Sequence, residues 1–134
     1  MDTTTISIHT GNQRRTVDIT SHAAQFVDGR GDGLLLVFVP HATAGIAIME
    51  TGAGSDADLM DALDELLPRD ERWRHRHGSR GHGADHVVPA FLSPSVTIPV
   101  QGGRMLLGIW QSILLVDANA DNAERLIRLS WMPG

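Results

Sequence analysis

Cysteine is absent from the chain, which removes disulfides, thiolate nucleophiles and every cysteine-based zinc site, so any metal chemistry must use nitrogen and oxygen ligands. Long apolar runs are missing as well. Nothing approaches the roughly 18 consecutive apolar residues of a membrane span, and Met1-Asp2-Thr3-Thr4-Thr5 lacks the basic and apolar regions of a signal peptide, so a soluble cytoplasmic protein is expected. Basic charge is scarce: 11 basic residues against 16 acidic ones give a formal charge of -5, which repels a phosphate backbone. Nucleic acid and membrane are therefore excluded as expected partners. What remains is ordinary globular material. The 134 residues are 42% hydrophobic and 20% charged, room for one domain over 1–134 that hides roughly two thirds of its unfolded surface. Without cysteine, the seven histidines become the residues to follow.

Thr5-Ile6-Ser7-Ile8-His9 and Arg15-Thr16-Val17-Asp18-Ile19 alternate polar and apolar residues around a Gly11-Asn12 turn signal, which predicts an opening hairpin. Thr20 or Ser21 can cap a short helix carrying Ala23, Ala24, Phe26 and Val27 up to Gly29. The apolar run Leu34 to Val39, closed by Pro40, predicts a central strand buried on both faces, and Ala44 to Met49 a second strand. Ser55-Asp56-Ala57-Asp58 reads as a capped helix start with Leu59, Leu63, Leu66 and Leu67 on one face, while Asp61, Asp64 and Glu65 are solvated. Val87 to Leu92 suits a short helix with Pro89 in its first turn. Ser95 to Val100 and Arg104 to Val116 read as long strands joined by a glycine hairpin, and Arg125 to Trp131 as the closing strand. Hairpin-length connections outnumber crossovers, so the expected class is α+β, antiparallel-rich, with two or three short helices.

Between Arg69 and Asp85 no apolar periodicity exists, yet His75, His77 and His82 fall there among arginines, with His86 just beyond. A structureless stretch of that length in a compact domain is usually functional or mobile. The spacing of His82 and His86 suits one helical face, although Gly83 opposes a helix, and exposed, partly charged histidines are the bland alternative. His41 interrupts two apolar strands, so its ring needs partners: a core histidine satisfied by backbone or Thr43, or a ligand or general base. Glu50 and Asp117 end apolar strands and could face the histidines; solvated caps are the alternative. Trp110-Gln111 lies within an apolar stretch, where an amide beside an indole can hold a ligand or simply pack. Arg125 and Arg128, three apart in a strand, face opposite sides.

The ordered set His41-Ala-Thr43-Ala-Gly45-Ile46, Glu50, Trp73-x-His75, His86, Pro94-Ser95-Val-Thr-Ile-Pro99-Val, Gly103-Arg, Leu107-Gly108-Ile-Trp110-Gln111 and Asp117 resembles the YjbQ-like family, also called the secondary thiamine-phosphate synthase family, over nearly the whole chain. Departures from its pattern are Ala42, Ile109, Ser93-Pro94-Ser95, the extra His77 and His82, and the ending Val116-Asp117-Ala-Asn119. The resemblance implies a compact α+β fold, a homotrimer, and a weak or secondary thiamine-phosphate synthase activity, a transferase reaction on small phosphorylated substrates.

A synthase of this kind needs a divalent cation, basic groups on the leaving diphosphate and an aromatic face for the pyrimidine. Magnesium would suit that reaction, whereas imidazoles suit zinc or nickel. The expected site places His41, Glu50 and Asp117 in catalysis, Thr43, Ser95, Trp110 and Gln111 on substrate, and His41, His75 and His86 on metal. Metal-assisted hydrolysis and metal or small-ligand binding without turnover are the alternatives.

Overall fold

In the computed structural model, which describes residues 1–134, eight strands run in chain order as β1 (Asp2–His9), β2 (Arg15–Asp18), β3 (Gly33–Phe38), β4 (Ala44–Met49), β5 (Ser95–Gln101), β6 (Arg104–Met105), β7 (Ser112–Asp117) and β8 (Glu124–Pro133). They form two antiparallel sheets, one ordered β1-β8-β3-β5-β6 and the other β2-β7-β4. Three helices, α1 (Thr20–Val27), α2 (Ser55–Leu66) and the single turn α3 (His82–Asp85), complete the fold with a 3-10 turn at Val88–Ala90. No helix is long and apolar enough to cross a membrane.

Alternation drives the sheets together. Along β8, Arg125, Ile127, Leu129 and Trp131 are buried while Glu124, Leu126 and Arg128 face out. Their apolar members join Leu35 and Val37 of β3, Ile98 and Val100 of β5, Ala44 and Ile46 of β4, and Ile113 and Leu115 of β7. Ile19, Ala23 and Val27 bring α1 onto the same core. Each fully buried aliphatic side chain there contributes about 1.5–3 kcal/mol relative to exposure.

Several expectations need correction. The alternating segments 5–9 and 15–19 do not form a hairpin: β1 pairs with β8 and β2 with β7, so they belong to different sheets. The intervening turn is tied elsewhere, with Thr10 N and Gly11 N both donating to Ala123 O at 2.8 and 3.2 Å. β3 is central, but only one of its faces is fully covered: Leu35 and Val37 are buried, whereas on the other face Leu34 is exposed and Leu36 and Phe38 are half-buried. Gly54, not Ser55, takes the N-cap position of α2, and no side-chain cap bond forms. The glycine hairpin is present, with Gly102 and Gly103 at φ 56° and 75° joining β5 to β6, the positive angles a two-residue turn of this hand requires. The strand expected from Arg104 onward nevertheless stops at Met105 and resumes only at Ser112. Between them Ile109 and Trp110 stand in solvent, so apolar composition was a misleading guide there.

Candidate metal centre

The arginine-rich stretch after α2 is folded onto the body by a few contacts. Trp73 Nε1 donates to Pro68 O at 2.7 Å, and the indole packs against the small cluster of Leu67, Ala84, Val88 and Ala118. Arg69 pairs with the buried carboxylate of Asp85 and donates from Nη2 to Arg80 O at 3.0 Å, stapling the start of the stretch to its end. α3 forms despite Gly83 because the glycine is needed for packing. A Cβ at that position would strike Trp73 Cβ and the carbonyl oxygen of His75, so tertiary approach outweighs the modest helix penalty of about 1 kcal/mol.

This packing brings four imidazoles together. His75, His77, His82 and His86 offer ligand atoms that all lie within 4.8 Å of one another, with His82 buried and His86 half-buried. Ring centroids are 4.3 Å apart for His75 and His86, and 4.6 Å for His82 and His86. The Nε2 atoms of His82 and His86 face each other at 2.8 Å. Four nitrogens around one zinc ion sit roughly 3.4 Å apart, as bonds of about 2.0–2.1 Å in a tetrahedron require, so small side-chain adjustments would seat an ion. Burial, followed by the neighbouring imidazoles, lowers the pKa of both His75 and His86, which favours the neutral, lone-pair-bearing form that ligates metal.

Behind the rings stands a polar support. Asp121 Oδ2 lies 3.0 Å from His82 Nδ1 and accepts from Ser79 N at 3.2 Å and Ser79 Oγ at 3.1 Å. Those Ser79 bonds lower its pKa, keeping it anionic. The fully buried Asn119 donates from Nδ2 to Asp85 Oδ2 at 2.8 Å and accepts from Asp121 N on Oδ1 at 2.7 Å. Such partners hold ligating histidines in one orientation. Asp85, Asn119 and Asp121 were not singled out as site residues from the sequence. The alternation Asp117-Ala118-Asn119-Ala120-Asp121 after a buried strand was the signal available. Next to the rings is a polar cavity of about 90 Å³ whose wall includes Trp73, Arg76, Ser79 and Arg80.

Of the expected site residues, His75 and His86 come together and His41 does not join them. His41 Nε2 instead accepts the Leu126 amide at 2.8 Å, and burial, then the nearby Arg125 charge, lowers its pKa. Thr43 and Asp117 are also close to it in the fold but are spoken for: Arg125 donates to Thr43 Oγ1 at 2.9 Å and to both Asp117 oxygens at 2.7 and 3.0 Å, all of these groups being buried. Glu50 is exposed beyond the opposite end of β4, because Ala44 pairs with Asp117 whereas Met49 pairs with Ser112. Gln111 and Trp110 lie toward that same far end, with Gln111 Oε1 accepting Gly108 N at 2.7 Å and Trp110 exposed. Ser95 starts β5 opposite Phe38, and Ser93 Oγ donates to its carbonyl oxygen at 2.7 Å and accepts its amide at 3.2 Å. Within one chain, then, the expected carboxylates are separated by the length of a six-residue strand, about 20 Å.

An antiparallel two-sheet α+β body with a histidine cluster on a polar extension places the molecule in a defined class. The profile described as UPF0047 protein YjbQ-like matches residues 4–134. The chain belongs to the YjbQ/UPF0047 family. It is 60% identical over 134 residues to UPF0047 protein Rv2556c of Mycobacterium tuberculosis, covering 100% of both chains. With UPF0047 protein YugU of Bacillus subtilis it shares 34% identity over 116 residues, 81% of this chain and 83% of that one. Among solved structures it superposes on hypothetical protein APE1520 of Aeropyrum pernix with a TM-score of 0.90 at 29% identity, covering 100% of both chains. A YbjQ-like protein of unknown function from Sulfolobus solfataricus gives 0.91 at 28% identity, covering 99% of this chain and 97% of that one.

Proposed function

We propose that this chain is a metalloprotein that binds one zinc or nickel ion through His75, His77, His82 and His86 and uses it on a small phosphorylated substrate. The observation that carries the reading is the convergence of four imidazole ligand atoms within 4.8 Å. Nitrogen-only donors favour zinc or nickel over magnesium, which takes oxygen ligands. Supporting a phosphorylated ligand, residues 69–86 hold five arginines against three acids, a net of +2 in a chain whose total is -5. A divalent ion there lowers the pKa of a bound water and neutralises charge on a phosphoryl oxygen, the requirements of metal-assisted hydrolysis or group transfer.

The narrower reading, a thiamine-phosphate synthase-like transferase, draws support from the family resemblance and from the arginines available for a diphosphate. Its pyrimidine-facing groups, Trp110 and Gln111, would have to reach the histidines from a second copy. A homo-oligomer, a trimer by resemblance, is part of the proposal for that reason. Ile109 is 89% exposed and Trp110 71% exposed, an apolar projection that another subunit would cover. We place this assembly in the cytoplasm, in keeping with the absence of a membrane-crossing helix.

Elemental analysis of purified protein with and without chelator, followed by thermal unfolding of both samples, tests the proposal. One equivalent of zinc or nickel per chain, lost together with several degrees of melting temperature on chelation, is the expected result. A metal-free protein that also fails to gain stability when zinc or nickel is added back would overturn it.

A further inference from the structure

Away from the histidines, α1 and the segment from Gly103 to Gln111 form the two walls of a second cleft. It lies toward the opposite end of β7 from the support of His82: Thr20 Oγ1 accepts Ile113 N at 2.8 Å near the start of the strand, whereas Asn119 follows its finish. The cleft holds about 590 Å³, within the roughly 300–1,000 Å³ of small-molecule sites. Its walls are joined at one end. Gly103 N donates to Gly31 O at 2.9 Å, and a Cβ on Gly103 would come 2.8 Å from Gly29 N. The cleft is therefore held in shape by backbone contact before any ligand arrives.

That joined end carries two charges without partners. Asp28 precedes Gly29 and Arg104 follows Gly103, so the approach of the glycines sets both side chains at the same end, one on each wall. Neither takes part in an ion pair within the chain. The charges around them are matched: Arg30 pairs with Asp2 at 2.7 Å, and Asp32 Oδ1 accepts Gly102 N at 2.7 Å. At the far end Thr20 is satisfied as well, its Oγ1 donating to Asp18 Oδ1 at 2.6 Å. Between the ends the lining is apolar, from Ala24, Met105 and Leu107, and the last two rest on the core. From Thr20 to Asp28 the helical wall is about 12 Å long, at a rise of about 1.5 Å per residue.

A ligand bearing one charge would satisfy one of the two side chains and be repelled by the other. A ligand bearing both on one carbon satisfies both, and the apolar floor receives the rest of it. We infer that this cleft binds an α-amino acid with an apolar side chain, its carboxylate on Arg104 and its ammonium on Asp28, at a site separate from the histidine cluster. The inference does not depend on the metal.

Isothermal titration calorimetry of the purified protein with L-leucine and L-methionine tests it. Both amino acids are expected to bind, at least about tenfold more weakly in Arg104→Gln and in Asp28→Asn, and with unchanged affinity in Asp56→Asn on α2. Asp28 and Arg104 are exposed, so both variants should keep the wild-type melting temperature. Two fragments of leucine separate the charges: isocaproate lacks the ammonium and isoamylamine lacks the carboxylate. Isocaproate should bind the wild type at least about tenfold more weakly than leucine and gain affinity in Asp28→Asn, where the repelling carboxylate is gone. Isoamylamine should gain in the same way in Arg104→Gln. Absence of heat with both amino acids at millimolar concentration overturns the inference. So does isocaproate binding the wild type as tightly as leucine, or leucine affinity that neither substitution lowers.

Discussion

The two-sheet body holds 16 buried apolar residues in one cluster, whereas the stretch from Arg69 to His86 leans on a cluster of four, Leu67, Ala84, Val88 and Ala118. The body is fixed by area removed from water, which is non-directional and tolerant of exact geometry. The arginine-rich stretch is fixed by directed bonds: Arg69 to Asp85, Trp73 Nε1 to Pro68 O, Ser79 to Asp121. Directed bonds position rings to a fraction of an ångström but contribute only about 0.5–1.5 kcal/mol each, more where charge is involved. The molecule thus separates the part that supplies stability from the part that supplies placement, and the junction between them is Asp117-Ala118-Asn119, where a core strand ends and the support of His82 begins.

The largest test of this division lies at the junction. Arg125→Ala leaves the fully buried Asp117 carboxylate without its partner and should cost about 3–5 kcal/mol by urea denaturation at neutral pH. A loss below about 1 kcal/mol would mean that the pair does not hold the body closed. Next, Leu115→Ala empties a fully buried position of the central strand of the smaller sheet and should cost about 2–4 kcal/mol while zinc affinity stays near the wild-type value. Equal damage to both properties would erase the distinction between the two regions.

Metal affects the other side of the comparison. Zinc at one hundred times its dissociation constant should raise unfolding free energy by about 2.7 kcal/mol in the wild type and by far less in His82→Ala, measured by thermal or chemical unfolding with and without the ion. The smallest effect is that of acid. The pKa of His41 in the body and those of His75 and His86 in the stretch lie below the ordinary 6.5, so the unfolded chain binds protons first as pH falls. Stability is then fully present above 6.5 and declines as pH drops through the folded values. Urea midpoints should therefore be lower at pH 5 than at pH 7.5. His41→Gln should remove the body's share of that decline, and a flat profile would show that none of the three rings is desolvated.

Much of the body was legible because periodicity is local. The apolar runs of β3 and β4, the leucine spacing of α2 and the short helix before Gly29 could all be read from a dozen residues at a time. Pairing could not: β1 and β2 alternate as hairpin partners do, and only the distant β7 and β8 decide otherwise. The stretch 106–111 misled because leucine, isoleucine and tryptophan suggest burial, while Gly108 and the Gln111 side chain close a turn that projects them outward. The histidine-rich stretch was visible as a cluster in sequence, but its geometry was hidden, since Gly83 opposes a helix locally and requires one only when Trp73 and His75 press against it. Asn119 and Asp121 left only the faint alternation of residues 117–121 as a signal, being polar residues in a connection whose meaning comes from what folds onto it.

The order of strands has a consequence during synthesis. β8 lies between β1 and β3, yet it leaves the ribosome after all seven other strands. Until residues 124–133 emerge, β1 has no partner in the larger sheet and β3 offers one bare edge, exposing Ile6 and Ile8 together with Leu35 and Val37. The nascent chain must therefore wait with open edges that invite pairing with other chains. Slowed translation or truncation within those ten residues should leave an aggregation-prone intermediate, whereas the histidine-bearing stretch, made earlier, needs only Ala118, Asn119 and Asp121 to reach its supports.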